Sequence, residues 1–309
     1  MNRSWFAGNG LFAAKCLQFL VEAIDLDLVI TSFPHKAGRG MSESKTPVHL
    51  KTKPAIPLHL TEELSRDPEL LRLLDTSPPD VIFVVDFGQL IREPFLSFSN
   101  LGCLNIHPSL LPKFRGAAPI PRAILSGENA TGVTVFKLVE AMDAGPILAQ
   151  KSLLIADEDT SGSLLTKLST EGSILLLEAI EGLENGRYSF REQDPTLASY
   201  APKIEKHEAF FDWNDQAVHI HNKVRAFNPS PGAFCLFRGK RMKIWRTSVI
   251  DNVSGTPGTV LDFIDSCPVV ATMDKAILLY EVQPEGKKRT DGGSWTNGAR
   301  IKKGESFYD

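Results

Sequence analysis

Apolar and polar positions along the 309-residue chain change period several times. Residues 4–7 form a short apolar run and Gly8-Asn9-Gly10 a tight turn. Leu11, Phe12, Ala14, Leu17, Leu20 and Val21 then recur at helical spacing. Residues 26–33 read as a second strand. Strand, glycine turn, helix and strand are the opening of a doubly wound α/β sheet. The turn is no dinucleotide fingerprint, because Ala13 stands at the third glycine position and no acidic residue ends the second strand. Residues 34–48 are polar, carry Gly38-Arg39-Gly40, and are too long for a plain connection. Residues 60–74 predict a helix. Residues 80–87 (DVIFVVDF) are a continuous apolar run, as in strands buried on both faces. Further strands are predicted at 103–106, 132–139 and 146–155, followed by a long helix from Thr160-Ser161-Gly162 to about 183, closed by Asn185-Gly186.

The polar stretch that follows holds Pro195 and Pro202 and keeps no period. It predicts a linker over 189–207 between a first domain at 1–188 and a second at 208–309. In the second domain come 210–213, a short helix around 216–225, and short strands at 234–237, 242–249, 258–261, 268–272 and 277–282. That pattern predicts a small β-barrel.

A hydrophobic fraction of 42% and a charged fraction of 23% are those of a globular protein. No apolar run reaches the ~18 residues of a membrane helix, and no secretory signal pattern opens the chain. Cys16, Cys103, Cys235 and Cys267 are far apart without a CxxC. This argues against a zinc knuckle or a disulfide framework and makes a reducing cytoplasm the simplest home. Net charge is −3, but residues 1–203 carry 19 Lys+Arg against 24 Asp+Glu and residues 204–309 carry 15 against 13. A mildly basic second domain permits contact with a polyanion; an evenly solvated surface explains the charge equally well.

The candidate chemistry lies in LNIHPSLLPKFRGAAP, residues 104–119. In a strand, residues i and i+2 share a face, so Asn105 and His107 point into one cleft. An amide donor beside an imidazole suits a reaction in which a carbonyl oxygen becomes negative and a proton moves. Cys103 alternates with that face and reads as a buried thiol. Taken singly, Asn105 is explained as a turn residue and His107 as a structural histidine. Asp86-Phe87-Gly88 spells a kinase metal motif without its companion motifs and is a chance match. His219, His221 and Asp215 invite a metal reading, but i and i+2 on a helix face different ways, so no metal is expected.

The run NIHPSLLPKFRGAAPI, followed by Thr131-Gly132-Val133-Thr134 and Met142-Asp143-Ala144-Gly145-Pro146-Ile147, resembles the folate-dependent formyltransferases. Residues 224–233 (VRAFNPSPGA) and 282–288 (VQPEGKK) resemble the tail domain of the members that act on charged tRNA. The resemblance thus covers nearly the full length. It implies a Rossmann-like formyltransferase domain followed by an OB-like β-barrel domain. It implies transfer of the formyl group of 10-formyltetrahydrofolate to the α-amino group of methionine on initiator tRNA, by a monomeric enzyme without a metal. It maps catalysis onto Asn105, His107 and Asp143. Folate contacts map onto Ser109, Leu110, Leu111 and Pro112, with backbone from Phe87, Gly88, Gln89, Leu90 and Ile91 lining the pteridine pocket. The tRNA contacts map onto Arg39 and Lys45 in the 34–48 loop and onto Lys287 and Lys288. The chain departs from the family's pattern at Asn9-Gly10, where Thr-Pro is commoner, at Met41-Ser42-Glu43-Ser44, where lysines are usual, and at Ser230, where Trp is frequent.

Acyl transfer to an amine needs no activated serine or cysteine, because an α-amino group with a pKa of about 7.7–8.0 is partly neutral already. Asn105 and His107 would donate to the developing oxyanion. Asp143 would orient His107 and take the amine's proton through a water; direct base action by His107 is the competing assignment. Two other functions compete. One is the same chemistry on an amino-sugar nucleotide or glycinamide ribonucleotide, against which the tail signature speaks. The other is a non-catalytic tRNA- or folate-binding module, against which the intact Asn/His/Asp set speaks.

Overall fold

The computed structural model describes residues 3–37 and 42–308. Contacts divide the chain into two units. One comprises Met1–Pro119, Ala130–Leu154 and Leu165–Ala201; the other comprises Ile120–Asn129, Ile155–Leu164 and Pro202–Asp309. The stretch expected as a linker therefore groups with the first unit as far as Ala201, and two inserts from within the expected first domain group with the second.

In the first unit, β1 (Ser4–Gly8) leads through Asn9-Gly10 into α1 (Leu11–Ala23), whose apolar stripe Phe12, Ala13, Cys16, Leu17 and Leu20 is buried. β2 (Leu28–Thr31) follows. Within the polar loop, β3 (His35–Ala37) and β4 (Ser42–Ser44) pair antiparallel. Then α2 (Pro47–Lys51) is capped by the Thr46 hydroxyl, which accepts from the His49 N–H at 3.0 Å. The helix expected over 60–74 is shorter and preceded by β5 (Leu58–Leu60). It starts only at α3 (Pro68–Thr76), because the Asp67 carboxylate caps it and Pro68 fits the first turn, where no N–H is needed. β6 (Val81–Val85) and β7 (Cys103–His107) are the apolar strands expected. α4 (Pro119–Leu125) comes next in the chain. After it come β8 (Ala130–Lys137) and β9 (Ile147–Leu154).

The sheet order is β5-β2-β1-β6-β7-β8-β9. The strands from β5 to β7 run parallel and the last two are antiparallel. This is the Rossmann-like sheet expected. Its parallel strands all end on one edge, where Asn9, Ser32, Asp86 and His107 emerge, the place where open α/β sheets hold ligands. The long helix α5 (Ser161–Glu184) crosses from one contact group to the other in sequence; its Gly172 lets Ile106 of β7 approach, since a Cβ there would lie 2.5 Å from the isoleucine.

In the second unit, α6 (Ala217–Ala226) is followed by β10 (Phe234–Phe237), β11 (Lys240–Ile250), β12 (Val260–Ile264), β13 (Cys267–Ala271), β14 (Ala276–Pro284) and β15 (Thr290–Asp291). The order β10-β11-β14-β13-β12 is antiparallel throughout, with β15 added to β14. A helix not foreseen, α7 (Gly292–Ala299), is capped by Asp291. It places Trp295 in an aromatic core with Phe237, Phe307, Trp213 and Phe211, whose ring centroids lie 4.9–6.1 Å apart. Such tilted and edge-to-face pairs add to plain apolar burial.

Phe307 touches three of these rings and is 1% exposed. Phe307→Ala should cost about 3–5 kcal/mol of stability, read from denaturant unfolding. A loss under about 1 kcal/mol would show that the aromatic cluster is not what holds this unit.

Candidate active site

The strand β7 ends in the pair that the sequence singles out. Asn105 is half-buried on the strand face it shares with His107, and His107 is 5% exposed. The opposite residues on β8 are Phe136 and Thr134; the Phe136 ring meets the imidazole edge-on at 6.4 Å between centroids. The His107 Nε2 lies 3.0 Å from the Phe114 carbonyl. A carbonyl only accepts, so Nε2 carries a hydrogen and donates it to that oxygen.

The ring's Nδ1 faces the carboxylate of Asp143, 3.7 Å from Oδ2. The structure thus brings His107 and Asp143 together from positions 36 residues apart. Asp143 sits in the left-handed region with φ +50°, in a turn closed by Ala144 N–H donating to Ala141 O at 3.2 Å. Gly145 follows because nothing larger fits: a Cβ there would lie 1.8 Å from the Lys137 carbonyl. The Asp143 Oδ2 accepts from the Gly116 N–H at 2.7 Å. One carboxylate is therefore anchored by a backbone amide and turned toward an imidazole nitrogen.

The segment carrying Ser109, Leu110, Leu111 and Pro112 is held by Thr134 and Gln150. The Thr134 hydroxyl donates to Ser109 O at 2.6 Å and accepts from Leu111 N–H at 3.1 Å; the Gln150 amide donates to Leu111 O at 2.8 Å. Leu111 is buried with Phe136 and Ile147. Gly132, of the Thr131-Gly132 motif, makes room for Leu110, whose Cδ2 would meet a Cβ there at 2.5 Å.

A cleft of about 360 Å³ opens at the strand ends, lined by Asn9, Gly10, Ser32, His35, Thr46, Pro47, Asp86, Phe87, Gly88 and Gln89. Three of the five residues expected to line a pteridine pocket are here; Ile91 is buried in the core and Leu90 is exposed. Gly88 adopts φ +75° and has open space where a Cβ would stand. The walls are fixed by polar side chains. The Asn9 amide donates to Ser32 Oγ and to Phe87 O, and its carbonyl accepts from Thr31 and from the Ser32 N–H, both at 2.8 Å. The Gln89 amide donates to Ser32 Oγ and Thr61 O, both at 3.1 Å. The Asp86 carboxyl is pushed up to about 6 by loss of solvation, against the opposing pull of the Phe12 and Ala13 N–H groups at the start of α1. Although Asp86 as a residue is exposed, its Oδ2 lies so close to Gly10 that a Cβ there would stand 1.8 Å away. The Asn9-Gly10 turn, a departure from the family's pattern, thus accommodates a carboxylate at the helix start.

Lys45, Lys287 and Lys288 are exposed; Arg39 lies outside the described residues. Burial pushes the Cys16 and Cys103 thiols up to about 12, which makes them poor nucleophiles. His219 faces Asp215 at 3.0 Å, while His221 Nδ1 meets Thr247 Oγ1 at 2.9 Å. Among the described residues no group of His, Cys, Asp or Glu is arranged to hold a metal ion, and no helix is long and apolar enough to cross a membrane.

The formyl transferase family matches residues 6–180, and the formyl transferase C-terminal domain matches residues 203–300. The methionyl-tRNA formyltransferase of Protochlamydia amoebophila is 40% identical over 305 residues, 95% of this chain and 94% of that protein. That of Carboxydothermus hydrogenoformans is 38% identical over 98% of both. The chain belongs to the methionyl-tRNA formyltransferase family. Among solved structures, HypX from Aquifex aeolicus in complex with tetrahydrofolic acid superposes with a TM-score of 0.63 at 20% identity, over 96% of this chain and 47% of that one. The sugar 3N-formyl transferase WlaRD, in the presence of dTDP and 5-N-formyl-THF, gives 0.66 at 21% identity, over 93% and 99%. At these identities the likeness concerns the fold.

Sequence reasoning missed Gln193, Arg115 and the Phe114 carbonyl as parts of this site. Arg115 stands inside the motif that carries the family resemblance, a signal that was available. Gln193 lies in a stretch with no period and had none.

Proposed function

We propose that the protein transfers the formyl group of 10-formyltetrahydrofolate to the α-amino group of methionine carried by initiator tRNA. The observation that carries this reading is the His107 Nδ1 facing Asp143 Oδ2 at 3.7 Å beside Asn105, in a chain of this family. Asn105, His107 and Asp143 are assigned as the catalytic residues. The bound folate supplies an electrophilic formyl carbon. The Asn105 amide donates to the carbonyl oxygen as it gains charge; donors of this kind are worth about 10²–10³ in rate. With Nε2–H engaged by Phe114, Nδ1 of His107 is the ring atom free to accept the proton that the amine loses as its nitrogen bonds to carbon. The Asp143 carboxylate offers the charge partner for the imidazolium so formed. When the bond between the formyl carbon and the folate nitrogen breaks, the same proton is available to that nitrogen. No covalent enzyme intermediate is required.

Phe87, Gly88 and Gln89, with the backbone reaching Leu90 and Ile91, and the Ser109-Leu110-Leu111-Pro112 segment are proposed as folate contacts. The open space at Gly88 and the 360 Å³ cleft beside it admit a flat ring. Arg39, Lys45, Lys287 and Lys288 are proposed as tRNA contacts. On the second unit, Lys287 and Lys288 precede Arg289, whose guanidinium stacks 3.4 Å from the Trp245 ring centroid; Arg241 stacks on Phe234 at 3.6 Å. Burial, with Arg241 and Arg289 nearby, holds the Lys243 amine below its ordinary range. A cluster of cations that repel one another suits a phosphate backbone. The enzyme is proposed to act as a monomer in the cytoplasm, where its four free, buried cysteines stay reduced.

Incubation with 10-formyltetrahydrofolate and charged initiator tRNA should give formylmethionyl-tRNA, while amino-sugar nucleotides and glycinamide ribonucleotide stay unmodified. Formylation of a small amine with none of the tRNA would overturn the proposal. In the same assay, replacing Lys287 and Lys288 together by alanine should lower the slope of log affinity for tRNA against log salt by about 1–2. An unchanged slope would remove these lysines from the tRNA surface.

A further inference from the structure

We infer that Gln193 is a positioning residue for Asp143, which rests on the proposed role of Asp143 in formyl transfer. Gln193 is 9% exposed and every hydrogen-bonding group of its carboxamide is used. Its two N–H groups donate to the main-chain carbonyls of Asp143 at 2.9 Å and Gly145 at 2.7 Å. Its oxygen accepts from Arg115 Nε at 3.2 Å and Arg115 Nη2 at 2.6 Å. The next residue after Arg115, Gly116, donates its N–H to the Asp143 side chain at 2.7 Å. Asp143 is thus fixed at two points, side chain through Gly116 and main chain through Gln193, and both fixings refer to the same dipeptide, Arg115-Gly116. The preceding residue, Phe114, holds His107 through its carbonyl. Gln193 therefore closes a ring of hydrogen bonds that sets the carboxylate against the imidazole.

Only a carboxamide meets both demands. The carbonyls of Asp143 and Gly145 need donors, and the buried Arg115 guanidinium needs an acceptor. A carboxylate in place of Gln193 would keep Arg115 satisfied and preserve side-chain volume, yet it would set acceptors against acceptors at the Asp143 turn. That turn has no slack, because Asp143 is left-handed and Gly145 abuts Lys137. A released turn moves the carboxylate away from His107, and misplacement by about 1 Å costs on the order of 10²-fold in rate.

The test uses the full-length enzyme with 10-formyltetrahydrofolate and charged initiator tRNA. Gln193→Glu should lower kcat about ten- to a hundredfold with KM for the folate little changed and thermal unfolding still cooperative. In an Asp143→Ala background the same substitution should cost less than about twofold, because there is no carboxylate left to place. Gln193→Met, which fills the space without donating, serves where the glutamate variant does not fold and should show the same pattern. A folded Gln193 variant with kcat near wild type, or one whose loss is as large in the Asp143→Ala background, would overturn the inference. An Asp143→Ala enzyme as active as wild type would instead overturn the catalytic reading on which it rests.

Discussion

The tripeptide Phe114-Arg115-Gly116 is the reference against which the rest of the candidate site is measured. Its first carbonyl fixes the His107 ring, its last N–H fixes the Asp143 carboxylate, and its arginine holds Gln193 against the Asp143 main chain. The tripeptide has to be held in turn, since Phe114 and Gly116 both take positive φ, +60° and +119°. The segment ending at Ala201 does this. Arg115 N–H donates to Ser199 O at 2.8 Å, Ala201 N–H donates to Arg115 O at 2.7 Å, and the Ser199 hydroxyl accepts from Phe114 N–H at 2.9 Å. Gly116 has no alternative, because a Cβ would stand 2.9 Å from the Ala201 carbonyl. Strain in the turn is thus balanced by a row of main-chain hydrogen bonds, the pattern expected where geometry serves chemistry.

The electrostatics follow from the same arrangement. His107 and Asp143 are both largely withdrawn from solvent, and their facing atoms are 3.7 Å apart, too far for a hydrogen bond and close enough for a strong charge interaction once the ring is protonated. In the proposed reaction Nδ1 would take the proton that the amine loses. Asn105, on the same strand face, is the group proposed to serve the oxygen.

Much of this was legible in the sequence, for identifiable reasons. The spacing of Asn105 and His107 fixes a shared strand face whatever the rest of the fold does. The continuous apolar run at β6 announces a sheet covered on both sides. Other features depend on distant partners. Leucines at 60, 64, 70, 71 and 74 mimic one helix, but Asp67-Pro68 is a cap followed by a first-turn proline, so the helix begins there and Leu60 belongs to β5. α7 opens on two glycines and is stabilised by Trp295 meeting Phe237 and Phe307 rather than by its own propensity. Gln193 could not be found because its role is defined by carbonyls 48 and 50 residues away. A stretch without hydrophobic period is a loop to any pattern reading, even when it straps a candidate active site.

His107 and Asp143 are proposed to act as one unit. A double-substitution cycle measures this directly: kcat/KM for formylation of charged initiator tRNA by His107→Ala, Asp143→Ala and the pair together. Cooperation predicts that the double variant is barely worse than the worse single one, a coupling of about 1–3 kcal/mol. Losses that simply multiply would mean that the two side chains work independently despite their 3.7 Å approach, contradicting a shared role in proton transfer.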